Sequence, residues 1–218
     1  METENKNLLI EGAKTFGIDL DGKAIEAFDL YLKELLKWNQ KINLTSIRSE
    51  KEIVLKHFLD SLSVSPLLQK YFSILDIGSG AGFPGIPLKI VHPTLEVTLI
   101  DSVRKKVDFQ RHIIRVLGLK GIEAIHGRVQ EKEILKNLEG QFDIILSRAF
   151  SDLRTLLVLS FPFVKKGGRV VAMKGTRESG EIQPLIEIKG TRYRLQKTIS
   201  LVLPFSPFKR NIHLFEKQ

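Results

Sequence analysis

Between Ser73 and Gly85 the chain reads SILDIGSGAGFPG, an apolar run ending in an acid, followed by glycines at alternate positions, Gly78, Gly80 and Gly82. Glycine allows backbone conformations and close approaches that a Cβ would block, so such a loop can lie against a bound ligand. The run before it has the length and apolar character of a buried parallel strand, and the stretch after it reads as a helix. A strand, a glycine-rich turn and a helix form the nucleotide-binding corner of a doubly wound sheet.

Two ligand classes fit the spacing. Gly80, Gly82 and Gly85 satisfy G-x-G-x-x-G, the dinucleotide pattern for NAD or FAD. Asp76, Gly78, Gly80 and Gly82 also make D-x-G-x-G-x-G, which resembles the first motif of S-adenosylmethionine (SAM) methyltransferases. LEVTLID (Leu95 to Asp101) reads as a second strand whose terminal acid suits ribose hydroxyls in either class. The later chain separates the two. FVKKGGRVVAMKG (Phe163 to Gly175) resembles the late glycine turn of methyltransferases, and Tyr193 to Phe205 and Lys209 to Lys217 read as a closing hairpin. The expected fold is therefore α/β, Rossmann-like, of the class I SAM-dependent methyltransferase kind. Its sheet should be seven-stranded and mostly parallel, with one antiparallel strand and a helical N-terminal cap.

Helical spacing in Asp21 to Trp38 places Ile25, Phe28, Leu32, Leu35 and Leu36 on one face. Ser49-Glu50-Lys51-Glu52 has the form of a capping box, opening a helix through His57 and Leu62 that Ser65-Pro66 interrupts. Strands are expected near 73–77, 95–100, 122–126, 142–147 and 168–173. Helices are expected between them, near 84–91, 103–117, 131–138 and 151–165. These elements divide the chain into a helical cap, 1–70, and a SAM-binding domain, 71–218, packed as one compact unit.

Composition narrows the chemistry. With 218 residues, 43% of them hydrophobic, one substantial core and a small accessory unit are affordable. The absence of cysteine excludes disulfides, thiolate metal sites and the cysteine nucleophile on which C5-pyrimidine methylation depends. No metal site, no membrane segment and a cytoplasmic location are expected. Charge is uneven: residues 1–70 are net −1 and residues 71–218 net +10. Three basic clusters, Arg104 to Arg115, Lys165 to Arg177 and Lys189 to Lys217, suit a polyanionic partner.

WNQKINLTSIR, HFLDSL, LDIGSGAGFPGIPL, HGRVQE, SRAF and MKG, in this order and spacing, resemble the glucose-inhibited division protein B family over roughly residues 25–175. That family consists of bacterial 16S ribosomal RNA guanine-N7 methyltransferases. The resemblance implies SAM as cofactor, 16S rRNA or the 30S subunit as partner, and a guanine of the 530 loop as target. Gly78, Gly80, Gly82 and Phe83 should then shape the cofactor loop. Asp101 should accept from the ribose, Val129 and Gln130 border the adenine, and Arg148 lie beside the methionine moiety. Gln130 stands where members often carry glutamate, so this chain offers an amide there. Asn39, Lys41, Asn43, Arg104, Lys105, Lys174 and Arg177 are the expected RNA contacts. Ser147-Arg148-Ala149-Phe150 occupies the place of the Asn/Asp-Pro-Pro-aromatic motif of amino-group methylation, which disfavours N6-adenine chemistry. Two rival readings are a non-catalytic SAM- or RNA-binding protein and an NAD-dependent oxidoreductase.

Overall fold

A computed structural model of the chain describes residues 1–68, 72–148, 150, 152–175 and 182–218. The boundary expected near Lys70, the Ala149 of the SRAF motif and Arg177 lie outside the described residues.

Helices come first. α1 (Thr3–Lys14) is followed by α2 (Gly22–Asn39), where Asp21 accepts a capping hydrogen bond from the Ala24 N–H at 2.7 Å. Phe28, Tyr31, Leu32 and Leu35 form the buried stripe of α2, and Ile25 and Leu36 flank it half-buried. α3 (Glu50–Ile53) runs into a π-helical stretch, Val54–Leu59, and out through α4 (Asp60–Leu62). Ser49 stands at the N-cap of α3, but its side chain makes no capping bond, so the capping-box expectation is met in position only. π segments are rare and cluster at functional sites because they displace side chains from α-helical register. This one carries His57 and leads directly to Asp60.

The remaining chain alternates: β1 (Ser73–Ile77), α5 (Gly85–Val91), β2 (Glu96–Asp101), α6 (Arg104–Val116), β3 (Ile122–His126), α7 (Lys132–Leu138), β4 (Phe142–Ser147), α8 (Leu153–Ser160) and β5 (Val164–Gly175). Three strands close it, β6 (Leu185–Ile188), β7 (Thr191–Val202) and β8 (Lys209–Lys217). The sheet runs β3-β2-β1-β4-β5-β8-β7-β6, with the first five strands parallel and β8 antiparallel to β5. The sheet thus has eight strands where seven were expected. The additional one is β6, a four-residue edge strand that pairs antiparallel with β7. β6 and β8 both oppose the parallel set, so the single antiparallel strand of the sequence reading becomes two. The helix expected to reach residue 165 ends at Ser160, because Val164 already belongs to β5.

Side chains alternate between the two faces of the sheet. Ile74, Val97, Leu99, Ile144, Leu146 and Leu214 join α1, α2, the π segment, α5 and α6 in one core. Leu75, Ile100, Ile145, Val170 and Phe215 join α7 and α8 in the other. The N-terminal helices therefore share a core with one face of the sheet. Gly85 shows how tightly this face is packed: a Cβ there would lie 2.3 Å from Leu99 Cδ2. The sheet order reverses between β1 and β4, and ligands of open α/β sheets bind at the carboxyl edge beside such a reversal.

Phe58 is fully buried, with its ring centroid 5.0 Å from that of Phe28, 5.5 Å from Tyr31 and 6.1 Å from Phe83. It joins the N-terminal helices to the glycine loop. Phe58→Ala should destabilise the protein by about 3–5 kcal/mol, read as a lower urea midpoint.

Candidate functional site

Two adjoining cavities open at the carboxyl edge of the sheet and share Gly78. The smaller, about 280 Å³, is lined by Ile100, Asp101, Val129, Gln130, Phe150 and Leu159, among others. The larger, about 540 Å³, lies between the N-terminal helices and the ends of β4 and β5. Its walls include Thr45, His57, Gly80, Phe83, Arg148 and Lys174.

The glycine loop between them is held on every side. Tyr31 donates its hydroxyl to the Ala81 carbonyl at 2.6 Å, and Gln110 donates to Ser79 Oγ at 2.8 Å and the Gly80 carbonyl at 2.7 Å. Asp101 accepts from the Gly80 N–H with Oδ2 and from the Val103 N–H with Oδ1, both at 2.8 Å. A carboxylate offers about four lone-pair directions, so Asp101 retains acceptor capacity toward the small cavity it lines. Gly80 has φ +60°, and among the described residues a Cβ there would meet nothing within 4 Å: the space above it is open.

Beneath the loop, Asp76 is fully buried. Its Oδ2 accepts from the Gly85 N–H at 2.9 Å, while Oδ1 has no hydrogen-bond partner among the described residues. Desolvation pushes its carboxyl up to about 7; the Gly85 N–H and the Arg148 guanidinium pull against that shift and Asp101 adds to it.

The large cavity is organised by ions and rings. Asp60, only 3% exposed, accepts from Arg148 at 3.0 Å and from Arg210 at 2.8 Å. Arg148 also donates to the Lys56 carbonyl and, at 3.3 Å, to His57 Nδ1. His57 stacks on Phe83, with centroids 4.5 Å apart, and its Nε2 lies 2.8 Å from Thr45 Oγ1. Burial, then the adjacent Arg148 charge, hold the imidazole down to about 3, so it is neutral at physiological pH.

The cofactor-site expectations converge on this edge. Gly78, Gly80, Phe83 and Arg148 line the large cavity, and Gly78, Asp101, Val129 and Gln130 the small one. Gly82 (φ +99°) sits behind the loop, where a Cβ would meet Ile86 and Tyr31. Of the expected RNA contacts, Lys41, Asn43, Arg104 and Lys105 are exposed. Asn39 is engaged otherwise: its Oδ1 accepts from the Leu44 and Thr45 N–H groups at 2.9 and 3.0 Å, and its Nδ2 donates to the Thr45 carbonyl. It clamps the loop that carries Thr45. Lys174 is buried in the wall of the large cavity and donates to the Phe150 carbonyl.

His57, placed by the sequence only on a helix, is 8% exposed and lines the cavity. Asp60, Lys106 and Arg210 also line it; the sequence reading held them only within the HFLDSL motif and two basic clusters, with no site role. The HFLDSL motif was the available signal for His57 and Asp60; for Arg210 it was only the basic character of Lys189 to Lys217. Among the described residues no group of three or more metal-ligating side chains converges, and no helix is long and apolar enough to cross a membrane.

Residues 24–205 match a family model described as rRNA small subunit methyltransferase G. A protein of that name from Acetivibrio thermocellus is 43% identical over 99% of this chain and 90% of its own length. Another, from Geobacter metallireducens, is 44% identical over 97% of this chain and 96% of its own. A SAM-dependent methyltransferase from Aquifex aeolicus superposes with TM-score 0.55 at 16% identity, covering 75% of this chain and 92% of that one. TYW2 of P. horikoshii, in complex with MeSAdo, gives TM-score 0.54 at 11% identity, covering 74% and 62%. At such identities the likeness to solved structures concerns the fold.

Folded Asp76 binds its proton more tightly than an unfolded carboxyl does, near 3.8. Its contribution therefore lowers stability as pH rises from about 4 to about 7, and is level above that. His57, depressed when folded, acts in the opposite sense between about 3 and 6.5. In Asp76→Asn the first contribution disappears. The difference in unfolding free energy, variant minus wild type, should rise across pH 4–7 by an amount on the order of 3–4 kcal/mol. Urea titrations at several pH values measure it.

Proposed function

The chain belongs to the rRNA small subunit methyltransferase G family, and on that premise we propose that it methylates N7 of a guanine in the 530 loop of 16S ribosomal RNA, with SAM as donor. The observation that carries this reading is the pair of cavities joined at Gly78, one suited to a nucleoside and the other to a methyl acceptor.

The residues present fit SAM. The open space above Gly80, which any side chain would fill, lets backbone approach a ligand closely. Asp101 has spare acceptor capacity for ribose hydroxyls, and Ile100, Val129, Phe150 and Leu159 give the small cavity apolar walls for an adenine, with the Gln130 amide at its edge. Arg148 and Lys174 bring positive charge to the methionine side, suited to a carboxylate. When bound, the cofactor supplies a sulfonium methyl open to direct nucleophilic displacement.

Guanine N7 carries an in-plane lone pair and no proton, so the chain needs no general base. The neutral His57 and the engaged Asp101 are not asked to move a proton. What the residues do instead is position: a bolted loop and a cavity shaped by Phe83, His57 and Arg148 hold donor and acceptor in line. A base inside a duplex cannot reach this edge, so the guanine must arrive unpaired or flipped.

Lys41, Asn43, Arg104, Lys105 and Lys106 on the surrounding surface are the RNA-facing groups in this reading. Arg104, Lys105 and Lys106 crowd the first turn of α6, where cations oppose the helix dipole. That local cost suits a surface that meets phosphates. The partner is 16S rRNA within the 30S subunit or its precursors, and the location is the cytoplasm, where subunits assemble.

Incubating the protein with methyl-labelled SAM and undermethylated 30S subunits should label 16S rRNA at a site that cleaves as N7-methylguanine on reduction and aniline treatment. SAM binding without transfer would favour the non-catalytic rival, and NAD binding without SAM binding the oxidoreductase. Gly80→Val should abolish SAM binding in calorimetry, because the side chain enters the cofactor space and the residue resists positive φ, while the chain still unfolds cooperatively.

A further inference from the structure

Thr45 lies on the wall of the large cavity, on the loop that Asn39 clamps. Its hydroxyl has one proton to give and two lone pairs to fill. The Ile47 N–H donates to Oγ1 at 3.1 Å, which fills one lone pair. What fills the other follows from the far side of His57. A guanidinium has donors only, so Arg148 Nη2, 3.3 Å from His57 Nδ1, requires that nitrogen to carry the lone pair. The neutral imidazole then holds its proton on Nε2, which points at Thr45 Oγ1 2.8 Å away and donates to it. The imidazole is kept neutral by its burial. Arg148 is itself fixed by Asp60, which Arg210 also holds. With both lone pairs occupied, Thr45 can only donate, and among the described residues no acceptor takes its proton.

We propose that Thr45 reads the six-position of the target base: its hydroxyl donates to guanine O6 and rejects an exocyclic amino group there. This deepens the function proposed above and rests on it. Guanine and adenine both present an N7 lone pair, so N7 chemistry alone does not separate them. They differ at the neighbouring atom, which is an acceptor oxygen in guanine and a donor amino group in adenine. A hydroxyl free to rotate would serve either. One whose lone pairs are saturated by His57 and Ile47 serves only the oxygen, and it leaves N7 itself unblocked for attack. Arg148 and His57 are positioning residues here: they act on specificity through Thr45, by fixing the direction of its proton.

The test uses 30S subunits reconstituted with 16S rRNA carrying guanosine, 2-aminopurine riboside or 2,6-diaminopurine riboside at the target position. All three keep N7 and the 2-amino group; the second lacks O6 and the third replaces it with an amino group. Wild-type kcat/KM should fall roughly 10- to 100-fold on 2-aminopurine and at least as far on diaminopurine. Thr45→Val should lower the guanosine rate to about the 2-aminopurine level with little further loss on 2-aminopurine, and with SAM affinity unchanged in calorimetry. Thr45→Ser, which keeps the hydroxyl, should restore most of the preference. Equal wild-type rates on guanosine and 2-aminopurine would overturn the proposal without recourse to any variant. So would a preference that survives in full in Thr45→Val, or a Thr45→Ser variant as indifferent as the valine. Wild-type protein that leaves the guanosine subunits unmethylated would remove the methyltransferase reading and this inference together, a result distinct from methylation without discrimination.

Discussion

One buried carboxylate ties the site together. Asp60, at the end of the π-helical stretch, accepts from Arg148 at the end of β4 and from Arg210 on β8, a residue 150 positions further along the chain. Two guanidiniums share one desolvated acid, so neither is fully neutralised and both are held in place. Breaking such a cluster from the acid side leaves two poorly hydrated cations, typically at a cost of about 3–5 kcal/mol per disrupted buried pair. Once Arg148 is fixed, the tautomer of His57 is fixed with it, and so is the direction of the Thr45 proton. Net stability is poor grounds for retaining a buried ion cluster. The geometry it imposes on a cavity wall is a better one.

The glycine loop depends on the same arrangement from the other side. A loop with several residues at positive φ has little intrinsic preference for one shape, and ordering it on ligand binding would consume affinity. Here the ordering is done in advance. Tyr31 from α2 holds the Ala81 carbonyl, while Gln110 from α6 and Asp101 from β2 hold the carbonyl and the N–H of Gly80. Phe83 is packed against Tyr31 and His57, with centroids 5.3 and 4.5 Å apart. The N-terminal helices therefore support the glycine loop as well as walling the larger cavity. This explains why they share a hydrophobic core with the sheet.

Local features were legible because their causes are local. β1 and β8 have the bounds read from the sequence, since glycine, proline and polar residues punctuate apolar runs within a few positions. Gly78, Gly80 and Asp101 meet at one edge because strand, turn and helix in that order leave them nowhere else to go. β6 was missed: its four residues alternate between exposed and buried, too short a run to stand out from a polar loop. Asn39 was read as an RNA contact, and only the loop geometry shows its amide satisfied by the backbone of Leu44 and Thr45.

The sequence by itself determined the fold class, the glycine-rich turn between strand and helix and the basic character of the second part, because periodicity, glycine spacing and charge are properties of neighbouring residues. Only the tertiary structure decided that His57 is buried and neutral, that Asp60 joins Arg148 to Arg210, and that the hydroxyl of Thr45 is left with a proton to give. Those facts depend on which distant groups share a desolvated space. Burial and hydrogen-bond direction arise when the chain closes, and no spacing along it encodes them.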